Sequence, residues 1–222
     1  MDWTAPIDIY CERLAPGFWA EPLNAVTNAA FLLAAAAPFL ARADRRPEPF
    51  VALLAALVAI IGIGSFLFHT LANRWSMLAD VLPITLFIYA YLGFALHRYL
   101  RLGWLATGAA LLVFLPLSAG IEALARPLLG GSAGYLPALL AMLSVALLTH
   151  RIGHPASPWL LAAAGIFAVS LTLRTLDAPL CAALPAGTHF LWHLLNAATL
   201  ATLLSAAARH ADFKGKVTFP NP

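Results

Sequence analysis

The chain has 222 residues, of which 62% are hydrophobic and only 10% charged, with a mean hydropathy of +0.84. A soluble domain carries about a quarter charged residues, so there is too little polar side chain here to cover a water-exposed surface, and the chain reads as an all-α polytopic membrane protein. The net charge of +3 and the pI near 9.1 do not signal a nucleic-acid partner, because membrane proteins concentrate Arg and Lys in their cytoplasmic loops.

Residues 1–22 are polar and aromatic. Asp2, Asp8, Glu12 and Arg13 leave no apolar stretch for a cleavable signal, whereas Trp3, Phe18 and Trp19 suit a segment lying at the headgroup level. Pro22 is a natural first helical position. Seven apolar runs follow, near 23–41, 50–72, 77–96, 102–120, 133–149, 158–176 and 187–208. Each approaches the ~20 residues that a spanning helix needs. This predicts a seven-helix domain over 23–208, between the interfacial segment and a cytoplasmic tail at 209–222. The short connections make successive helices antiparallel neighbours.

Basic residues set the orientation. Arg42, Arg45, Arg46, Arg98, Arg101, Arg151, Arg209, Lys214 and Lys216 follow the odd-numbered runs, nine of the thirteen; Arg13, Arg74, Arg126 and Arg174 lie on the other side. The positive-inside rule then places the N-terminus outside and the C-terminus in the cytoplasm.

With that orientation, His69 lies near the outer end of the second run, and Asp80, His189 and His193 near the outer starts of the third and seventh. Ser65 and His69, like His189 and His193, are separated by four residues and share a helix face. Ionisable groups inside a membrane are expensive and mark function, and three imidazoles with an open fourth position describe a catalytic zinc site. There is no H-E-x-x-H, so a general base has to come from elsewhere, and Asp80 is the candidate; its other readings are a helix cap or a partner for Arg74. Ser65 suits either an oxyanion donor or, within Gly62-Ile63-Gly64-Ser65, close helix packing. Asn24, Thr27 and Asn28 read as supports for metal ligands or as ordinary interhelical hydrogen bonds. Asp8, Glu12 and Glu21 suggest a Ca²⁺ site or a solvated acidic face. Cys11 and Cys181 both fall on the outer face, where an oxidising exterior permits a disulfide; two unrelated thiols are the other reading. His97, His150, His154 and His210 read as solvated loop or tail residues.

Tyr10-Cys11-Glu12, Glu21-Pro22-Leu23-Asn24 through Thr27-Asn28, Gly64-Ser65-Phe66-Leu67-Phe68-His69-Thr70-Leu71, Asp80 and His189-Phe190-Leu191-Trp192-His193 together carry a resemblance over nearly the whole chain. The sequence resembles the alkaline ceramidases, within a superfamily of seven-helix membrane hydrolases that includes the adiponectin-receptor group. The resemblance implies an amide hydrolase acting on ceramide-like lipids, with zinc held by His69, His189 and His193, Asp80 as base, Ser65 supporting the oxyanion, and a Cys11–Cys181 bridge. It also implies Ca²⁺ ligands at Glu12 and Glu21, although the segment between them is short and Leu14 stands where a polar ligand is expected. The partners implied are a membrane N-acyl sphingoid lipid and the bilayer, with no nucleic acid. The Ala- and Leu-rich composition and short loops suggest a bacterial member, whose outer face would be periplasmic. The main rival is a seven-helix receptor or scaffold with structural zinc, which the lack of a sizeable extramembrane domain disfavours. A transporter is a second rival, and no internal repeat supports it.

Overall fold

The computed structural model describes residues 2–44 and 46–211. Arg45 and residues 212–222, and with them Lys214, Lys216 and most of the expected tail, lie outside the described residues. The described chain is helical, with a single isolated bridge between Pro6 and Asn73.

Six stretches are long and apolar enough to cross a membrane. The first, Pro22–Ala41, is built from three short helices, α1 (Pro22–Thr27), α2 (Ala29–Ala35) and α3 (Ala37–Ala41). They meet at Asn28 and Ala36, where the carbonyls accept from Phe31 and Phe39 in tighter three-residue turns. α4 (Pro49–Leu71) and α5 (Arg74–Phe94) form a hairpin, and α5 continues into a π-helical turn at Ala95–Tyr99. α6 (Trp104–Leu129), a 3-10 segment (Gly130–Tyr135) and α7 (Leu136–Arg151) make one stretch of 48 residues. Laid straight it would reach roughly 72 Å at 1.5 Å per residue, over twice the hydrocarbon thickness. Instead the chain turns back at the 3-10 segment: the backbone at Gly134 comes beside the Glu122 carboxylate. α8 (Ser157–Leu180) and α9 (His189–His210) complete the bundle.

The core gathers Val51, Leu54, Val58 and Ile61 of α4 with Phe87, Tyr91 and Phe94 of α5, Leu160 of α8 and Leu203 and Leu204 of α9. Large apolar side chains also cover the outside, among them Leu33, Leu105, Leu124 and Leu128, each at least 76% exposed. A surface of that kind suits lipid and not water. α6 is the most peripheral helix and fully buries only Thr107 and Phe114.

The expected run at 102–120 stops nine residues too soon. Glu122, Arg126 and Pro127 read as a loop, yet Glu122 and Arg126 pair one helical turn apart and α6 carries through them to Leu129. The eighth helix likewise runs past 176 to Leu180. His154 is not solvated, as expected of a loop residue, but buried. Its Nδ1 accepts the Ala156 N–H at 3.1 Å as α8 begins, and burial, with the nearby His210 and Arg101 charges, pushes the imidazole down to about 4. His97 is partly buried too and stacks on Trp104 with ring centres 3.8 Å apart.

Two glycines set the approach of α4 to its neighbours. A Cβ on Gly62 would sit 2.9 Å from the Phe31 Cβ and 3.1 Å from the Asn28 carbonyl, and one on Gly64 would collide with the Ala79 carbonyl of α5. Only a bare Cα allows α4 and α5 to touch at the turn that carries Ser65 on one side and Asp80 on the other. Gly64→Ala is therefore expected to destabilise the detergent-solubilised protein by about 1–3 kcal/mol, read as a lowered midpoint of thermal unfolding. Gly108→Ala on α6, where a Cβ would meet nothing within 4 Å, is the matched control and leaves the midpoint unchanged.

Candidate metal centre

The last turn of α4 and the first turns of α1, α5 and α9 meet at one end of the bundle. There the N-terminal segment folds over them. Residues 3–7 run along the α4–α5 connection, where Ile7 N–H donates to the Ala72 carbonyl (2.7 Å) and Arg74 N–H to the Ala5 carbonyl (3.2 Å). Cys11 is bridged to Cys181 with Cα atoms 5.2 Å apart, which ties the segment to the α8–α9 connection. Glu12 caps α1, its two oxygens accepting from Leu23 N–H (2.6 Å) and Asn24 N–H (2.9 Å).

Beneath this cover lie His69, His189 and His193, each at most 2% exposed. Each offers a ligand nitrogen within 4.8 Å of those of the other two. His69 Nδ1–H donates to Glu21 Oε2 at 2.6 Å, and its buried Nε2 has no hydrogen-bond partner. Thr27 Oγ1 gives its hydrogen to the Leu23 carbonyl (2.7 Å) and so accepts from His193 Nδ1–H (3.0 Å), which leaves Nε2 of His193 as the unpartnered nitrogen. His189 presents an unpartnered Nδ1 and is covered by the Tyr10 ring, with centres 3.8 Å apart. Three buried imidazole lone pairs without partners are costly in an apolar interior. They fit a metal ion. On His69 and His193 a carboxylate and a hydroxyl acceptor at the outer nitrogen fix the tautomers that such an ion requires.

Glu21 is held from three sides, by His69, by Arg13 Nε (2.5 Å) and by Asn24 Nδ2 (3.1 Å). Burial pushes its carboxyl up, but the hydrogen bonds and charge from His69 and the hydrogen bonds from Arg13 and Asn24 outweigh that and keep it below the usual carboxylate range. The calcium reading of the outer carboxylates therefore meets groups already in use: Glu12 on backbone N–H groups, Glu21 on Arg13 and His69, and Asp8 exposed. Among the described residues the three histidines are the group placed to hold a metal.

Ser65 and Asp80 line one small chamber with Tyr10, Arg174, His189 and His193. Asp80 is 8% exposed and its Oδ1 has no partner. It is not the helix cap: Asn73 fills that role, accepting from Ser76 N–H at 3.1 Å while Ser76 Oγ accepts from Asn73 N–H. The chamber adjoins an apolar cavity that runs down between α5, α7, α8 and α9, with Ile61, Ile84, Tyr135 and Asn196 lining both.

Two residues of the site were not legible as such in the sequence. Arg174 counts there only toward the orientation of the helices; in the fold it donates to Ser132 Oγ (2.9 Å), lies over the rings of Tyr135 and Trp192, and faces the chamber. Asp177 stood out in no pattern. Its Oδ1 accepts from Thr188 N–H (2.7 Å) and His189 N–H (2.9 Å) and its Oδ2 from Cys11 N–H (3.2 Å), so one buried carboxylate starts α9 and anchors the N-terminal segment. Gly187, at φ +65°, packs so closely on Asp177 that a Cβ would overlap the carboxylate.

A bundle of membrane-length helices enclosing a polar chamber with a three-histidine group is a multi-pass membrane protein with a site compatible with a metal. The sequence model described as Ceramidase matches residues 3–212, and the chain belongs to the ceramidase family. That membership implies a hydrolase acting on the amide bond of ceramide, a lipid of the membrane in which the helices lie. No match is found among curated proteins.

Removing the carboxylate of Asp177 leaves three buried N–H groups unpaired. Asp177→Ala is expected to cost about 1–3 kcal/mol and to raise hydrogen exchange at Thr188 and His189, read by mass spectrometry. Unchanged exchange there would show that another group starts α9.

Proposed function

We propose that this protein is a zinc-dependent intramembrane hydrolase that cleaves the N-acyl bond of ceramide-like lipids, with the roles carried by Asp80 and Ser65 around His69, His189 and His193. The supporting observation is the chamber itself. Asp80, with an unpartnered oxygen, lines the same chamber as His189 and His193, His69 offers a ligand nitrogen within 4.8 Å of theirs, and the chamber adjoins an apolar cavity. A structural zinc in a receptor or scaffold has no use for that free carboxylate oxygen.

In this reading the 48-residue stretch crosses the membrane twice, turning at the 3-10 segment, and the domain has seven crossings. With six of the ten described basic residues (Arg42, Arg46, Arg98, Arg101, Arg151 and Arg209) following the helix ends away from the site, the positive-inside rule puts the site end, the N-terminal segment and the disulfide at the outer leaflet. The acyl tail of the substrate takes the apolar cavity and its amide the chamber. His69, His189 and His193 would hold the zinc, which when bound would supply Lewis acidity for activating water near neutral pH. Asp80 accepts the proton of the attacking water as its oxygen bonds to the carbonyl carbon. Ser65 donates to the oxygen that gains negative charge. Asp80 then returns the proton to nitrogen as the C–N bond breaks, releasing a fatty acid and a sphingoid-type amine. Arg174, half-buried and lining the same chamber, adds a fixed positive charge.

The purified protein is expected to hydrolyse N-acyl sphingosine. Asp80→Asn should lower kcat by about 10²–10⁴-fold and Ser65→Ala by about 10²-fold, both with zinc content unchanged. Full activity in Asp80→Asn would remove that residue from the proton transfer, and zinc without turnover of any N-acyl lipid in the wild type would favour the receptor or scaffold.

A further inference from the structure

Arg13 is an oddity in this site. It is a buried arginine in an interfacial segment, with a side chain 7% exposed, paired to a Glu21 side chain that is 3% exposed. Burying two charges costs several kcal/mol per ion unless their geometry and remaining hydrogen bonds compensate. Here they do. Arg13 Nε meets Glu21 Oε1 at 2.5 Å, Nη2 donates to the backbone carbonyl of His69 at 3.1 Å, and Nη1 reaches the Gly17 carbonyl at 3.4 Å. The planar guanidinium thus grips His69 twice, once at its backbone and once through Glu21, whose other oxygen takes the imidazole Nδ1–H.

We propose that Arg13 is the resident cation of this centre: its guanidinium positions Glu21, and through Glu21 the metal-facing nitrogen of His69, so that the site keeps its metal without a second, diffusible cation. This rests on the reading that the three histidines hold a metal. A divalent ion at Glu21 would have to displace Arg13, because Glu21 Oε2 is taken by His69 and Asn24. The neighbouring acidic group offers no alternative, since both oxygens of Glu12 cap α1. Leu14, 84% exposed, brings no ligand atom. Arg13 is a positioning residue and takes no part in proton transfer.

The test is zinc affinity, measured by chelator competition on detergent-purified wild type, Arg13→Ala and Arg13→Lys, each with and without millimolar calcium. Melting of the zinc-free forms is recorded beside it. The wild type should bind zinc with the same affinity in both conditions. Arg13→Ala should bind about 10–100-fold more weakly, the range for lost support of a metal ligand, and Arg13→Lys should recover only part of the loss, because a point charge lacks the fork that spans Glu21 and the His69 carbonyl. Arg13→Ala binding zinc as tightly as wild type overturns the inference alone. So does a wild-type affinity that rises with calcium, a result that does not depend on any variant folding. A wild type that binds no zinc overturns the proposed function together with the inference.

Discussion

A polar centre inside an apolar bundle depends on finding a partner for every buried donor and acceptor, because no water is at hand to replace one. The partner chain here runs from the surface inward, from Arg13 to Glu21 to His69, with parallel supports from Thr27 to His193 and from Asp177 to the backbone of His189. Each link leaves one buried imidazole nitrogen unpartnered at the centre. The N-terminal segment is therefore not an appendage. It supplies Tyr10, Arg13 and Glu21 to the site and is fixed there by the Cys11–Cys181 bridge and by Asp177.

Close helix packing provides the other half of the arrangement. Gly62 and Gly64 let α4 approach α2 on one side and α5 on the other, which brings Ser65 and Asp80 to one chamber. Ser65 belongs to a small-residue packing stretch and also lines the chamber. The apolar cavity below is framed by helices that also carry large apolar side chains on their outer faces, among them Leu82, Leu147, Val169 and Leu194. A lipid substrate could pass from bilayer to chamber without ever crossing water.

Much of this was legible from the sequence because helical spacing is a local property. The i and i+4 pairs Ser65/His69 and His189/His193 share faces wherever the helices go, and hydropathy alone ordered the runs so that the three histidines fell at one depth. The helix ends were less legible. Charges and prolines near 122–127 and 177–179 read as breaks, but α6 carries Glu122 and Arg126 as a pair on its own surface and α8 buries Asp177 as the support of α9. Arg174, Asp177 and Arg13 gain their roles only from contacts between segments distant in the chain, such as the 166 residues between Cys11 and Asp177. No periodicity encodes those contacts. The same holds for His154, whose burial follows from how the α7–α8 connection folds back onto Tyr99.

The central claim is that three imidazoles from two helices converge on one metal ion. X-ray absorption at the zinc edge of the purified, zinc-loaded protein addresses it most directly. The expected spectrum shows one zinc per chain with about three imidazole nitrogens near 2.0–2.1 Å and no sulfur in its shell. A protein that takes up no zinc, or a shell containing sulfur or fewer than three imidazoles, would contradict it.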